Sequence, residues 1–351
     1  MMQWRRRARP ARQLAIATLV SFGIVATSIG TMAGASVALA SRAGSASGGA
    51  PRIIIDTDLS RWWDDATAVG VANVLQQQHK VRLLGIVSDV PNRVAVAALD
   101  AIDTAYGHGN LPLGAVAGSD ADTFPHGYTD TVIARLRHSV DDSTEVPNAV
   151  VLYRRLLARQ PDHSVTIVSL GGYTNLAGLL ASKRGGGSAL DGRALVAKKV
   201  ARLVVEDGFF PTGGPAFTNQ KIDLPAATAV VQGDAWPTPI AWADGTVGVA
   251  TKVGGSLCAT VAPDQPMRVV YEAVFQCTPP GDGDWDAPTL LYAVGDLPAA
   301  FTELGQGGAA VINEEGGLSW APTSTRTHDV YVHVADQPAL NARLDELLAT
   351  G

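Results

Sequence analysis

The chain has 351 residues, 46% of them hydrophobic and 17% charged, which is sufficient for one large domain with a buried core. Its 27 basic and 33 acidic side chains give a formal net charge of −6. Nucleic-acid binding depends on an excess of lysine and arginine that neutralises phosphates, so we expect no nucleic acid as a partner.

The first 40 residues differ in composition from the rest. Five arginines between Arg5 and Arg12 precede an uncharged apolar run from Leu14 to about Ala40, and the run ends in the small-residue pattern Ala38-Leu39-Ala40. This order is typical of a secretory signal peptide, and an uncleaved membrane anchor is the alternative because the run is long. Without these five arginines the chain keeps 22 basic and 33 acidic side chains, a net charge of −11. We therefore expect a secreted protein that contacts a membrane only if this segment is retained.

Residues 41–50 are rich in Gly, Ser and Ala and read as a flexible linker. Residues 51–351 contain no internal repeat and no clear boundary, which predicts one domain. The two cysteines, Cys258 and Cys277, predict a disulfide bond in an exported protein, and two buried free thiols are the alternative. The sequence does not fix the oligomeric state and is compatible with a homo-oligomer.

From residue 51 onward, apolar strands alternate with helical segments. Ile53-Ile54-Ile55 predicts a strand buried on both faces, and a helix is predicted directly after Asp64-Asp65. Further strands are predicted at 81–87, 111–116, 165–170, 201–205 and 239–243, and further helices at 95–106, 150–159, from 175, and at 338–348. This alternation predicts an α/β fold with a mostly parallel, doubly wound sheet flanked by helices.

Four carboxylates follow the first predicted strand within ten residues: Asp56, Asp58, Asp64 and Asp65. In α/β sheets, ligands bind at the carboxyl ends of the strands. Carboxylates so close together repel one another, and a bound divalent cation relieves the repulsion. Oxygen ligands favour Ca²⁺ or Mg²⁺ over zinc. A solvated acidic loop is the alternative interpretation.

Residues 56–66 resemble the amino-terminal signature of the nucleoside hydrolases of the inosine–uridine-preferring family, in its longer form D-T-D-x-G-x-D-x-D-D-A. Ser60 and Trp62 stand where that form has a glycine and an aspartate. Val165 to Ala177 is similar to the family's V-T-L-V-x-x-G-P-L-T-N-L-A segment, and Asp284 to Val294 to its W-D-P-x-x-x-L-Y-A-V segment. The matches follow the family's order over roughly residues 51–295.

A fourth segment departs from the family at one position. Phe217 to Ala227 resembles E-x-N-x-x-x-D-x-x-A-A, in which the glutamate and asparagine hold ribose hydroxyls, and Phe217 replaces the glutamate. Trp285 also stands where some members have a histidine that protonates the leaving base, and His126 and His328 are the candidates to replace it.

The resemblance implies a role for each matching residue. A calcium ion would be held by three carboxylates and one strand-end carbonyl: Asp58, Asp65, Asp286 and Leu170, with the Ser169 carbonyl as the neighbouring alternative. The catalytic residues would be Asp58 and Asp286, with Asp58 as the general base. The ribose hydroxyls would be bound by Asp64, by Asn219 and by Asn92, which keeps the family's spacing of seven residues after a glycine, here Gly85. Asn175 would begin a helix.

The resemblance thus implies calcium-dependent hydrolysis of the N-glycosidic bond of ribonucleosides to free base and ribose. The alternative is an exported protein of the same fold that binds a nucleoside or another ribosyl ligand without turnover, and Phe217 and Trp285 favour it. A third interpretation is an anchored structural domain with no ligand.

Overall fold

A computed structural model of the chain describes residues 49–60, 62–279, 283–324 and 328–350. The predicted signal peptide and most of the predicted linker lie outside these residues. Within the described ranges, no helix is both long enough and apolar enough to cross a membrane.

The strands in chain order are β1 (Arg52–Thr57), β2 (Arg82–Ser88), β3 (Leu113–Ala115), β4 (Val165–Ser169), β5 (Val200–Glu206), β6 (Ile240–Ala243), β7 (Phe301–Leu304), β8 (Ala309–Ile312), β9 (Leu318–Ala321) and β10 (Val330–Val334). The helices are α1 (Asp64–Gln77), α2 (Ala95–Ala105), α3 (Thr129–Arg135), α4 (Ala149–Ala158), α5 (Thr174–Ala181), α6 (Gly192–Lys199), α7 (Thr218–Ile222), α8 (Leu224–Val231), α9 (Thr246–Val249), α10 (Leu257–Thr260), α11 (Pro266–Phe275), α12 (Asp286–Val294) and α13 (Gln337–Leu348).

An eight-stranded sheet runs through the described part of the chain in the order β3-β2-β1-β4-β5-β6-β10-β7. Neighbouring strands are parallel except β7, which is antiparallel to β10, and β8 and β9 form a separate antiparallel pair. Strand order reverses between β1 and β4, because β2 and β3 lie on one side and β5 and β6 on the other. The α/β, mostly parallel fold is therefore confirmed, and its ligand crevice is expected where the order reverses.

The two faces of β1 belong to two separate apolar cores. Ile53 and Ile55 pack into the core that contains α1, α12 and α13, whereas Ile54 packs into the core with α4 and α5. All three isoleucines are fully buried, because helices cover the sheet on both faces. This double burial fixes the position of the carboxyl end of β1, where the acidic residues begin.

The predicted elements and the observed ones differ mainly near the carboxyl end of the chain. The strands β7 to β10 and the helices α3 and α6 to α12 were not expected, since each has ten residues or fewer and lacks a long hydrophobic period. The predicted strand at 111–116 is reduced to Leu113–Ala115, since Pro112 cannot donate to a ladder.

The two cysteines form the predicted disulfide bond, with Cα atoms 5.6 Å apart. The bond joins residues separated by 19 positions, so it restricts a loop of moderate length in the unfolded chain.

Replacing both cysteines, Cys258→Ser with Cys277→Ser, should therefore lower the free energy of unfolding by about 3 kcal/mol, the stabilisation typical of such a loop. Urea titrations of the wild type with and without reductant, beside the double variant, measure the effect. Reductant should bring the wild type to the level of the double variant and leave that variant unchanged. If reductant does not change the free energy of unfolding of the wild type, the prediction is wrong.

One buried carboxylate lies far from the acidic strand end. Asp103 in α2 accepts a hydrogen bond from Asn73 Nδ2 at 2.6 Å, and Asn73 Oδ1 lies 2.7 Å from His108 Nδ1. The second oxygen, Oδ2, receives no hydrogen bond from any described residue. Burial raises the pKa of Asp103 to about 8, with the Asn73 bond opposing the rise.

This raised pKa predicts a pH dependence of stability. Between about pH 4 and 8 the folded chain holds a proton on Asp103 that the unfolded chain has released, so stability falls as pH rises, by up to about 1.4 kcal/mol per unit. Asp103→Asn should make the loss between pH 5 and pH 8 smaller, measured by urea unfolding. Exposed Asp264→Asn is the control and should follow the wild type. If the wild type and both variants lose the same stability between pH 5 and pH 8, the prediction is refuted.

Candidate active site

The candidate site is a cavity of about 210 Å³ at the carboxyl edge of the sheet, next to the point where strand order reverses. Two kinds of side chain dominate its lining. The acidic ones are Asp58, Asp64, Asp65, Glu206 and Asp286. The aromatic ones are Trp62, Trp63, Phe217 and Trp285. None of the described lining residues is a lysine, arginine or histidine, so the cavity is strongly acidic.

The local structure explains how the acids meet. Asp58 follows β1 directly, whereas Asp64 and Asp65 lie in the first turn of α1 and Asp286 begins α12. Helix amino termini favour negative charge, which offsets part of the repulsion. The backbone N–H of Trp285 donates to Asp64 Oδ2 at 3.4 Å, and this contact joins the starts of the two helices.

Carboxylate oxygens of three of the acids lie close together. Ligand atoms of Asp64, Asp65 and Asp286 all lie within 4.8 Å of one another. Such an all-oxygen group fits a hard cation such as Ca²⁺. Asp58 lines the same cavity without being one of the three, so the geometry adds Asp64 to the candidate ligands. The assignment of Asp58 to the metal and of Asp64 to the ribose stays a prediction.

Burial makes these carboxylates hard to ionise on their own. It raises the pKa of Asp65 well above its ordinary value, and nearby Asp58 and Asp64 raise it further. The pKa of Asp286 is raised by burial first and then by Asp64 and Asp65. A donated hydrogen bond from the Thr57 hydroxyl to Asp65 opposes the rise only in part. A positively charged ligand in the cavity would therefore stabilise the ionised form of these carboxylates.

Asp56, the first acid of the stretch, lies outside the cavity lining. Its carboxylate accepts hydrogen bonds from the hydroxyl of Tyr153 at 2.8 Å and from Asn175 Nδ2 at 2.9 Å. Asn175 also donates to the carbonyl of Ser88 at 3.0 Å, so it ties the end of β1 to the end of β2. The predicted helix from Asn175 is present as α5, which starts one residue earlier at Thr174, and Asn175 lies in its first turn without forming a side-chain cap.

Asn92 is not among the residues that line the cavity. Its Oδ1 accepts hydrogen bonds from the backbone N–H groups of Val94 at 2.9 Å and Ala95 at 3.0 Å, where α2 begins. Its Nδ2 donates to the carbonyl of Pro125 at 3.0 Å. These contacts give Asn92 a role in the turn before α2, and a ribose contact stays a prediction without support from its position.

Asn219 connects the ends of two strands. Its Nδ2 donates to the carbonyls of Leu170 and Glu206, both at 3.0 Å, and to Glu206 Oε2 at 2.9 Å. Both Leu170 and Asn219 line the cavity, whereas Ser169 does not, and their roles as metal carbonyl and sugar ligand stay predictions. Gly171, the residue after Leu170, must be a glycine, because a Cβ there would lie 2.6 Å from Asp89 Oδ2 and 2.7 Å from Asp58 N.

Glu206 is the lining residue that sequence reasoning missed. It ends β5 and keeps some exposure toward the cavity, whereas the adjacent Asp207 is buried and outside the lining. Asp207 accepts hydrogen bonds from the hydroxyl of Tyr173 at 2.6 Å and from Gln220 Nε2 at 2.8 Å. The signal in the sequence was an acid closing the apolar strand Val-Ala-Arg-Leu-Val-Val, a pattern that the family motifs do not contain.

The aromatic residues divide into packed and open ones. Trp63 is buried, with its ring 4.9 Å from that of Phe275. Phe217 is 50% exposed and Trp62 36%, so both present apolar surface at the cavity. Neither histidine considered for the leaving base lines the cavity: His126 lies between Asp122 and Asp130, and His328 is exposed.

No protein-family model matches the sequence, and no curated protein matches it. Solved structures do match. A plant nucleoside hydrolase superposes with a TM-score of 0.65 at 17% identity, over 86% of this chain and 99% of that one. The inosine–uridine-preferring nucleoside hydrolase from Bacillus anthracis gives 0.64 at 14% identity, over 85% and 99%. The type III effector XopQ, solved with adenosine diphosphate ribose, gives 0.64 at 16% identity, over 86% and 94%.

These neighbours define the class of the fold. The chain has the nucleoside hydrolase fold, over nearly the whole length of the proteins that it matches. The resemblance found in the sequence is thereby confirmed at the level of the fold.

The cluster of Asp64, Asp65 and Asp286 predicts that calcium stabilises the protein. Added Ca²⁺ should raise the melting temperature by several degrees and a chelator should reverse the rise, because a ligand at 100 times its Kd stabilises by about 2.7 kcal/mol. Asp65→Asn and Asp286→Asn should each lose most of this rise, since each removes one negative oxygen ligand. The exposed control Asp264→Asn should keep it. Equal calcium responses in all four proteins would place the cation elsewhere.

Proposed function

We propose that the chain is a calcium-dependent hydrolase of the N-glycosidic bond of ribonucleosides, which releases free base and ribose. One observation carries the proposal: the side chains of Asp58, Asp64, Asp65 and Asp286, with Leu170 and Asn219, meet in one cavity on the nucleoside hydrolase fold. A divalent cation held there by the carboxylates and the Leu170 carbonyl would acidify a water molecule and bind sugar hydroxyls.

In this proposal the protein residues divide the work. Asp58 takes a proton from the attacking water, whose oxygen bonds to the anomeric carbon of the ribose. The bond between that carbon and the base nitrogen breaks, and its electron pair leaves with the base. Asp64 and Asn219 accept hydrogen bonds from ribose hydroxyls, and the negative charges of Asp65 and Asp286 stabilise the positive charge that develops on the sugar.

The departing base needs an apolar surface and a proton. We place the base against Phe217 and Trp62, because exposed aromatic faces stack on heterocycles and both residues are partly open at the cavity. With no histidine among the described lining residues, the proton comes from solvent at the cavity mouth. Bases that leave easily without a side-chain acid should therefore be the better substrates.

We further propose that the protein acts outside the cell. The basic head and apolar run before residue 41, and the Cys258–Cys277 disulfide, support an exported protein. Its ligand would be a small nucleoside, with no nucleic acid involved.

The second candidate is a protein that binds a ribosyl ligand without cleaving it. Phe217 in the place of the family's glutamate favours this function, as does the lack of a described lining histidine. The XopQ neighbour, solved with adenosine diphosphate ribose, also supports it. The four aspartates favour hydrolysis, because a binding protein has no need for a general base beside a water-activating cation.

Release of ribose from a panel of five ribonucleosides, with and without calcium, tests the proposal. We expect calcium-dependent ribose release by the wild type, and Asp58→Asn should lower kcat by about 10²–10⁴-fold, the usual contribution of a general base. Substrate KM should change less, because the sugar contacts remain. Asp264→Asn is the matched control on the surface and should match the wild type.

Two outcomes would contradict this assignment in different ways. If Asp58→Asn cleaves nucleosides at the wild-type rate, another group is the base. If the wild type releases no ribose yet binds a nucleoside or adenosine diphosphate ribose in calorimetry, the binding function replaces the enzymatic one.

A further inference from the structure

A second cavity, of about 410 Å³, lies beside the edge strand β3. It is bounded by the start of β3, one face of α4 and the turns at 109–112, 139–140 and 146–147. It shares no lining residue with the acidic cavity. Most of its wall is apolar, and the side chains that form this wall include Leu111, Leu113, Val140, Val146, Leu152 and Leu156. Small-molecule sites have this size and an apolar wall with a few polar groups.

Two arginines give this cavity its positive charge. Leu152, Arg155, Leu156 and Arg159 are spaced so that they share one face at the end of α4. The leucines are buried, whereas the arginines are exposed and their side chains have no hydrogen bond or ion pair with any described residue. The adjacent Arg154, in contrast, is buried and hydrogen-bonded. Like charges four residues apart on a helix repel each other, so a bound anion would relieve the repulsion between the two exposed guanidinium groups.

The edge strand adds a backbone donor to the cavity wall. The carbonyl of Pro112 accepts from the N–H of Ile86 in β2 at 3.0 Å, whereas the N–H of Ala115 points away from β2 and donates to the carbonyl of Pro147 at 3.1 Å. Because alternate residues of a strand have the same orientation, the N–H of Leu113 points the same way as that of Ala115. No described residue accepts a hydrogen bond from it. Buried N–H groups are nearly always paired, so a ligand oxygen beside Leu113 would be favoured.

The formal charge of the described lining is +1. Asp100 is its one acid, and Asp100 Oδ2 accepts hydrogen bonds from the backbone N–H of Ser139, from the hydroxyl of Ser139 at 3.0 Å and from the N–H of Val140 at 3.0 Å. These bonds hold that carboxylate to the wall, and the two guanidinium groups exceed it by one positive charge. One negative charge on a ligand therefore balances the cavity, whereas a phosphate group, with a charge of about −2 near neutral pH, exceeds the balance.

We infer that this cavity binds a small organic anion that carries one carboxylate on an apolar body. The carboxylate binds the guanidinium groups of Arg155 and Arg159, whose planar donors match its two oxygens. The apolar body packs against Leu152 and Leu156 and loses its contact with water. This binding site goes beyond the proposed function and does not depend on it.

The test uses hexanoate, its uncharged isostere hexanamide, and inorganic phosphate, each titrated into the protein while backbone amide signals are followed by NMR. Hexanoate should bind the wild type with a Kd of about 1 mM, a level within reach of so small a ligand. The amide signals of Leu111, Leu113 and Val140 should shift. Hexanamide lacks the charge and phosphate lacks the apolar body, so each should bind about 10-fold more weakly or worse.

A double substitution tests the arginines. Arg155→Gln with Arg159→Gln should weaken hexanoate binding by about 10-fold or more, to the level of hexanamide, because the charged hydrogen bonds are lost. The Kd of hexanamide should not change, which shows that the apolar wall is intact. Lys183→Gln with Arg184→Gln is the matched control, since it removes the same charge from an exposed loop outside the lining and should leave every Kd at the wild-type value.

Four results would overturn the inference. They are wild-type hexanoate binding in the double arginine variant, equal affinity for hexanoate and hexanamide, phosphate binding as tight as that of hexanoate, and shifts confined to the acidic cavity. Hexanoate that does not bind at about 10 times the expected Kd would overturn it as well. None of these results bears on the proposed function, because the two cavities share no lining residue.

Discussion

The repulsion among buried carboxylates at one sheet edge is the constraint on which the rest of the structure depends. Burial raises the pKa of Asp65, Asp286 and Asp89 well above ordinary values. Neutral donors relieve the repulsion only in part: Tyr153 and Asn175 bind Asp56, whose pKa still rises to about 7 because it is buried. The inner carboxylates retain their mutual repulsion, and the proposed cation would relieve it.

The fold was largely predictable because its central strands are long, apolar and buried on both faces. Ile53 to Ile55 and the run from Val165 indicated parallel strands without any knowledge of their partners. The antiparallel edge strand β7 was not predictable, since it has four residues and none is fully buried. Its place in the sheet depends on pairing with β10, which is a tertiary interaction and leaves no period in the sequence.

The candidate site was predictable only where a motif gave both residue type and spacing. Asp58, Asp64, Asp65 and Asp286 were expected, and all four line the cavity. Asn92 was chosen by spacing alone, and in the structure its side-chain oxygen is used by two backbone amides at the start of α2. Glu206 was missed for the opposite reason, because a strand-end acid acquires meaning only when a neighbouring strand brings it beside other charges.

The shared amide of Asn219 has a further consequence for how ligands act on one another. The amide of Asn219 donates to the carbonyl of Leu170, which is proposed for the cation, and Asn219 itself is proposed for the sugar. A ligand that engages either residue would change the bond between them. In the proposed function, cation and sugar would therefore be thermodynamically linked, and by reciprocity each would alter the affinity of the protein for the other by the same factor. The cavity would behave as one cooperative unit whose two ligands report on each other.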